Sequence, residues 1–487
     1  MGQILGNLEP KIVWDIFEEI TQVPRPSKHE EKIIAYVIDF AKKHNLEFKQ
    51  DKLGNVVIKK PATPGMENRK GVVLQGHLDM VCEKNADVEH DFLNDPIKPY
   101  VDGDWVKAQG TTLGADNGIG VAMGLAVLAS NDIAHPDIEV LLTRDEETGL
   151  TGAQQLGTDL LNNKILINLD SEEEGTFIIG CAGGTNTSGS FYYDAEPIPA
   201  GYIAYKITLK GLQGGHSGLE ISDGRGNAIK LLNRFLWNLG TTVDFRLASF
   251  DGGNAHNAIP REAFATITFN HQDEIHFHSF ADKFRQTLFQ EWKSKEPNIE
   301  FIFEKVELPN QIVSKETQKK LLRAIYALPH GVIRYSPDVK GLVQTSTNLA
   351  VINTKPNEIF VLTSQRSSLE SEKFDIANQV KIVFELAGSL PRQGDGYPSW
   401  QPNINSQILE VAKQVFQKMY QREPKIEVIH AGLECGLIGE KYPGMDMISF
   451  GPNLKDVHSP AERVQISSVQ NVWQFLLEVL KNIPEKE

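Results

Sequence analysis

Residues 71–80 read GVVLQGHLDM: an apolar run that breaks off into a histidine and an aspartate. Gly71–Leu74 has strand length and lacks the polar alternation of a half-wet strand, so both of its faces should be covered. The same grammar recurs downstream. Ile138–Leu142 (IEVLL) runs into TRDEE, and Lys164–Leu169 (KILINL) runs into Asp170. An apolar helix, Ile119–Leu128, lies between the first two runs. On the N-terminal side, Ile12, Ile16 and Ile20 recur at helical spacing. Ser27 with Glu30 reads as a capping box opening a helix from Glu30 to His44. Apolar strands alternating with helices predict an α/β domain whose sheet is covered on both sides.

The pattern changes near Glu196–Pro199 (EPIP). Strand 202–209, helix 227–239, strands 242–250 and 263–269 and helix 275–293 follow, with a further strand–helix set to Gly388, in α+β style. Pro391–Pro402 (PRQGDGYPSWQP) reads as a linker. Then the α/β pattern resumes: helix 406–420, strands 425–429 and 445–450, helix 467–482. The expected organisation is one α/β domain from 1–195 and 391–487, with an α+β domain inserted at 196–390. No short-period repeat or low-complexity tract interrupts it.

Composition excludes several function classes. The chain has 487 residues, 49 Lys plus Arg and 64 Asp plus Glu, for a net charge of −15, which argues against a nucleic-acid partner. A 40% hydrophobic content is that of a globular chain. The longest charge-free stretch, Gly175–Tyr193, holds Thr, Asn, Ser and Gly, so no membrane span is expected. The opening MGQILGNLEPK has no basic or apolar leader region, so no secretory signal is expected. Cys82, Cys181 and Cys435 are far apart and form no CxxC, which argues against a disulfide framework and a thiolate metal site and fits a reducing cytoplasm.

The chemistry sits where apolar strands end. His77 and Asp79 follow the first run, Asp145, Glu146 and Glu147 the second, and Asp170 the third; Asp116 opens the helix after TTLGA, and His458 follows the last strand. Sites in open α/β sheets form outside the carboxyl ends of the strands. Taken singly, each residue has an ordinary reading: an N-cap, a solvated turn, a structural histidine. Jointly they do not, because strands this apolar rarely end in unpaired acid four times without a cation. Two His and three carboxylates suit two divalent ions such as Zn2+. Their charges, −3 against +4, leave +1 for a bridging hydroxide. Ions about 3.5–4 Å apart generate that nucleophile and polarise a carbonyl. Glu146 and Glu147 can divide the remaining work, one ligating and one moving protons. Asp79 is placed to orient the His77 imidazole from behind.

The motifs GHLDMV (76–81), GADNGIG (114–120), DEETGL (145–150), NLDSEE (168–173), GGHSG (214–218) and HAGLECG (430–436), with the late His458, resemble the M20 metallopeptidases. Within them, the likeness is strongest to the bacterial aminoacyl-histidine dipeptidases. The resemblance spans essentially the whole chain. It implies an α/β/α metallopeptidase catalytic domain, phosphorylase/hydrolase-like, with the α+β insert as lid and dimerisation domain. It implies that His77 and Asp170 hold one metal, that Glu147 and His458 hold the other, and that Asp116 bridges them. Glu146 would be the general base and Asp79 the carboxylate behind His77. His216 would approach the scissile carbonyl. Asn257 and Arg366 would hold the substrate backbone and its free carboxylate, and Glu434 would lie near the substrate amine. The insert is longer than in short members of this superfamily, which leaves open whether His216 serves its own chain or a homodimer partner's.

The function so implied is a cytoplasmic dinuclear zinc dipeptidase for Xaa-His dipeptides such as β-alanyl-histidine, with Co2+ or Mn2+ as alternative metals. Its rivals are an M20-type tripeptidase, carboxypeptidase or N-acyl amino acid deacylase, and, from another class, a catalytically silent peptide-binding protein. The expected partner is a small peptide, with no nucleic acid and no membrane.

Overall fold

The computed structural model describes residues 4–337, 339 and 341–486. The chain divides into two compact units, Met1–Cys181 with Trp400–Val428 and Leu433–Glu487, and Ala182–Ser399 with Ile429–Gly432.

The first unit is built on an eight-stranded sheet in the order Glu47–Gln50, Val56–Lys60, Ile138–Thr143, Val72–His77, Ile165–Asn168, Asp446–Ser449, Thr176–Cys181, Lys425–Ile429. The four strands from Ile138–Thr143 to Asp446–Ser449 run parallel. Their outer neighbours Val56–Lys60 and Thr176–Cys181 are antiparallel to them. Every residue of Val72–His77, Ile138–Thr143 and Ile165–Asn168 is buried, which is why these strands read as unbroken apolar runs. Helix Ala115–Ala129 packs on both Val72–His77 and helix Lys11–Thr21. It comes close through its glycines: a Cβ on Gly120 would stand 2.4 Å from the Leu169 carbonyl oxygen. Gln407–Tyr420 and Ile466–Lys481 pack on each other.

Register explains where the site falls. His77 pairs with Thr143 and Gln75 with Asn168, so three parallel strands end at one edge. A small sheet, Leu454–Lys455, Arg463–Gln465, Trp105–Ala108 and Pro99–Asp102, holds the chain on either side of His458.

The capping box does not form. The helix is Glu31–Lys43, and Glu30 precedes it without a side-chain cap. Ser27 Oγ donates instead to Asp79 Oδ2 at 2.8 Å, and Glu30 Oε1 accepts the N–H of Asp145 at 3.0 Å. Fully buried carboxylates need several donors: Asp79 takes the Ser27 hydroxyl and Glu30 takes the Asp145 amide before the helix does.

The second unit is a nine-stranded antiparallel sheet in the order Glu300–Val306, Tyr202–Lys210, Ala263–Asn270, Arg246–Gly252, Val343–Lys355, Glu358–Ser367, Gly183–Tyr192, Leu390–Gln393, with Gly331–Tyr335 pairing to Val343–Lys355. Helices Ala228–Leu239, Glu274–Trp292, Lys315–Ala327 and Glu370–Leu386 accompany it. Asn227 caps the first of these by accepting the Lys230 N–H at 3.1 Å. The core centres on Phe235, Phe250, Phe269, Phe277 and Phe384. This unit starts at residue 182, not 196, because Gly183–Tyr192 pairs along its whole length with Glu358–Ser367. That strand is rich in Gly, Ser and Thr and carries no apolar signature. The stretch read as a linker likewise adds the Leu390–Gln393 strand.

Among the described residues, no helix is long and apolar enough to cross a membrane. All three cysteines are free thiols.

Candidate active site

His77 ends its strand fully buried, and its two ring nitrogens face different partners. Nδ1 lies 3.1 Å from the Asp79 carbonyl oxygen and 3.4 Å from Asp79 Oδ1. Nε2 lies 3.0 Å from Asp116 Oδ1 and 3.5 Å from Asp170 Oδ1. The other oxygen of Asp116 is 3.1 Å from His458 Nε2, which is also 3.0 Å from Glu147 Oε2. Two ligand groups therefore share one carboxylate. His77, Asp116 and Asp170 form the first, and Asp116, Glu147 and His458 the second. In each, one ligand atom per residue lies within 4.8 Å of the others. Ligand atoms of His77, Glu146 and Glu147 also lie within 4.8 Å of one another, so Glu146 stands at the edge of the same nest.

The acids and imidazoles of these groups shift one another strongly. Burial, with Asp116 and Glu147 nearby, pushes Asp170 up to about 7, against the pull of His77. Burial and the carboxylates of Asp170, Glu147 and Glu434 raise Glu146 well above the usual carboxylate range, with His77 opposing. Burial by itself would lower His77, but Asp170, Asp116 and Asp79 raise it well above its usual value. Acids crowded in this way with two imidazoles form a donor set of the kind that holds divalent ions.

Main-chain contacts fix this nest. Asp79 accepts the N–H groups of Glu146 at 2.9 Å and Glu147 at 3.2 Å. Burial would raise its carboxyl, but His77, the Glu146 amide and Ser27 hold it at about 2. Glu30, Asp79 and Asp145 also cluster, and they accept hydrogen bonds from Arg144, Ser27, Thr148 and backbone amides, which anchor the turn. Asn117 was not singled out from the sequence. Its Oδ1 accepts the His77 N–H at 3.3 Å and its Nδ2 donates to the Leu169 carbonyl at 2.7 Å, tying the His77 and Asp170 segments together. Its place directly after Asp116 in GADNGIG was the available signal.

Glu434 begins a short helix and is 1% exposed. Its Oε2 accepts from Gln75 Nε2 at 2.6 Å and Thr143 Oγ1 at 2.7 Å. Its Oε1 has no hydrogen-bond partner, and burial pushes its carboxyl up to about 7.

The second unit holds His216, Asn257 and Arg366. His216 Nδ1 accepts the N–H groups of Gly218 at 3.3 Å and Leu219 at 3.1 Å. Burial and the Arg366 charge lower the ring to about 4. The ring is therefore neutral at pH 7, and with Nδ1 accepting, its proton sits on Nε2, which makes Nε2 a donor. Asn257 is exposed, in the turn whose carbonyl accepts the Ser217 N–H at 2.8 Å. Arg366 is buried; Nη1 donates to Tyr397 Oη at 2.8 Å while Nε has no partner. Directly across the ladder from Arg366 stands Ser346, whose Oγ meets His430 Nε2 at 2.7 Å. Sequence reading quoted His430 only as part of a motif and passed over Ser346 and Tyr397, which no local pattern distinguishes.

The profile of peptidase family M20/M25/M40 matches residues 73–482. The chain belongs to this family. It is 46% identical over 482 residues to the cytosol non-specific dipeptidase of Escherichia coli strain K12, covering 99% of both chains. It is also 46% identical to the aminoacylhistidine dipeptidase of Vibrio alginolyticus, whose crystal structure superposes with a TM-score of 0.91 over 99% of each chain. The aminopeptidase PepT of Bacillus cereus, at 16% identity, covers 98% of this chain and 99% of its own with a TM-score of 0.62, which shows the common fold. The M20 peptidase is thus a hydrolase of peptide bonds with the α/β architecture and α+β insert that its motifs implied.

Proposed function

We propose that this peptidase is a dipeptidase that works with two divalent metal ions and favours dipeptides ending in histidine within a broad substrate range. The observation that carries the metal reading is Asp116, whose two oxygens separately face His77 and His458 at 3.0 and 3.1 Å. The donor set fits the ions: two imidazoles, three carboxylates and no thiolate. In this reading His77 and Asp170 hold one ion, Glu147 and His458 the other, and Asp116 both. Zn2+ is the assigned metal; Co2+ and Mn2+ suit the same oxygen-rich set. Bound there, the ions would supply an activated water and polarise the scissile carbonyl.

The chain's own groups do the rest. Glu146 takes the proton of the attacking water and delivers it to the leaving amine nitrogen. Asp79 holds His77 in one tautomer and keeps the Glu146–Glu147 turn in place. His216 donates from Nε2 to the carbonyl oxygen as charge develops there. Arg366 grips the terminal carboxylate with its fork, Asn257 holds the substrate backbone, and Glu434 Oε1 receives the substrate amine. The dipeptide preference is carried over from the names of the two relatives at 46% identity, and action in the cytosol from that of the Escherichia coli relative. The inserted unit is assigned as lid and dimerisation domain, and the enzyme as a homodimer.

The test is a panel of free, N-acetylated and C-amidated dipeptides, with tripeptides, including β-alanyl-histidine, each assayed with Zn2+, Mn2+ and Co2+. Free dipeptides should be cleaved fastest. Faster cleavage of tripeptides or N-acyl amino acids would overturn the dipeptidase reading.

A further inference from the structure

Glu462 belongs to neither ligand group, lies four residues past His458 and is 2% exposed. Its carboxylate is filled by consecutive amides of a single loop. Oε2 accepts the N–H groups of Leu113 at 2.8 Å and Gly114 at 2.9 Å; Oε1 accepts those of Ala115 at 2.8 Å and Asp116 at 3.2 Å. Successive amides converging in this way form an anion nest, and here the anion is the protein's own. The loop is gripped from its carbonyl side as well. Arg25, 3% exposed, donates through Nη2 to the Gly114 carbonyl. Through Nη1 it donates to the carbonyls of Leu78 and Asp79, each at 2.9 Å. Gly114 has φ 70°, and a Cβ there would stand 2.5 Å from Arg25 Nη2 and 2.8 Å from Met80 Sδ. A side chain there would be strained by the positive φ and would crowd both neighbours.

The loop that presents Asp116 is thus held by the segment that presents His458, and through Arg25 by the segment that presents His77. On the His458 side the tether is short. The Glu462 N–H returns to the Ser459 carbonyl at 3.0 Å, and the Ala461 N–H to Ser459 Oγ at 3.2 Å. The His458 imidazole is half-exposed, and its hydrogen bonds among the described residues go to Asp116 and Glu147. Packing alone does not place it.

We propose that Glu462 is a positioning residue of the metal centre: it sets the spacing between the Asp116 carboxylate and the His458 imidazole, so that the two hold one ion together. The proposal rests on the two-ion reading above. A residue that merely capped helix Ala115–Ala129 would affect stability and leave metal affinity alone. A residue that sets ligand spacing changes affinity, and changes it most at the ion His458 holds.

The test strips the full-length protein with a chelator and titrates it with Co2+, followed by calorimetry and by the cobalt absorption spectrum. The parent should take up two ions per chain; fewer would overturn the two-ion reading and this proposal with it. In Glu462→Gln the amide keeps one acceptor and turns a donor towards the remaining amides. The His458-side ion should bind at least about tenfold more weakly, the range seen when an outer partner of a ligand is lost. The other ion should change less, KM should stay near the parent's, and excess Co2+ should restore kcat. Glu462→Asp, which keeps the charge but shortens the reach, should show the same order of effects and stands in if the glutamine variant does not fold. A folded variant with a lower Tm and two ions at parental affinity would show that Glu462 is a cap only. Failure of both variants to fold would make it a folding element and equally overturn the proposal.

Discussion

Glu146→Gln separates the base from the ligands. Glutamine keeps the length of the side chain, and the backbone N–H at 146 still donates to Asp79 Oδ1 at 2.9 Å, so the turn is retained. Glu147, with Oε2 at 3.0 Å from His458 Nε2, is untouched, so two ions per chain should remain. The variant loses a proton acceptor whose pKa is raised, chiefly by burial and then by Asp170, Glu147 and Glu434. A carboxylate whose pKa is raised holds a transferred proton better than an ordinary one, and a positioned general base supplies about 10²–10⁴ in rate for one transfer. In the proposed mechanism Glu146 acts twice, on the water and on the leaving amine, so the loss in kcat should be about 10⁴ or more. That is about 5.4 kcal/mol of barrier at about 1.36 kcal/mol per decade. The assay pairs initial rates on β-alanyl-histidine, read by free histidine, with metal analysis of the same sample. KM should move little. Parental kcat in the glutamine variant would refute the assignment. Loss of one ion would show that Glu146 and Glu147 have exchanged roles.

Asp116→Ala should empty or cripple both ion sites, whereas His458→Ala should spare the His77 side; equal metal contents in the two variants would contradict a shared carboxylate. Arg366→Lys should raise KM, since a point charge cannot reproduce the planar fork, and should narrow the parent's discrimination against C-amidated dipeptides; equal cleavage of amidated and free substrates by the parent would count against the carboxylate role. His216→Ala should retain both ions and lose about 10²–10³ in kcat, the size of one lost oxyanion donor. Because burial, then Arg366, lowers His216 to about 4, the ring stays neutral through pH 5–8, and its titration should leave no inflection in kcat there. The stability sign follows from the same shift. The unfolded chain takes up this proton near its usual value and the native chain only near 4, so the His216 contribution makes stability fall as pH drops between the two. Chemical denaturation of parent and variant across that window measures it.

The residues proposed as ligands stand out in the sequence because each lies at a discontinuity in hydrophobicity. His77, the acids after Thr143 and Asp170 follow runs in which every residue is buried, and a polar group there is conspicuous. The boundaries of the insert were less legible. Gly183–Tyr192 is a full strand, but its Thr and Ser side chains pair with partners inside the sheet. Thr187 Oγ1, for example, donates to Gln365 Oε1 at 2.8 Å, so neither periodicity nor apolar content marks it.

The supporting groups were illegible for a different reason. Ser27 and Glu30 satisfy every local criterion for a capping box, yet the carboxylate of Asp79 and the amide of Asp145, both distant in sequence, take their hydrogen-bonding capacity. Glu462 looks like one acid among several near the C-terminus and becomes distinctive only when four amides some 346–349 positions earlier converge on it. Spacing along the chain finds residues whose function depends on what they are and where a strand ends. It does not find residues whose function is to satisfy someone else's backbone, because the demand they answer comes from a distant loop. A buried amide left without an acceptor costs about 1–3 kcal/mol, so the four held by Glu462 represent a large local commitment to the position of Asp116. In the proposed metal centre, the placing of Asp116 rests on the main-chain donors of its own loop as much as on the proposed ligands around it.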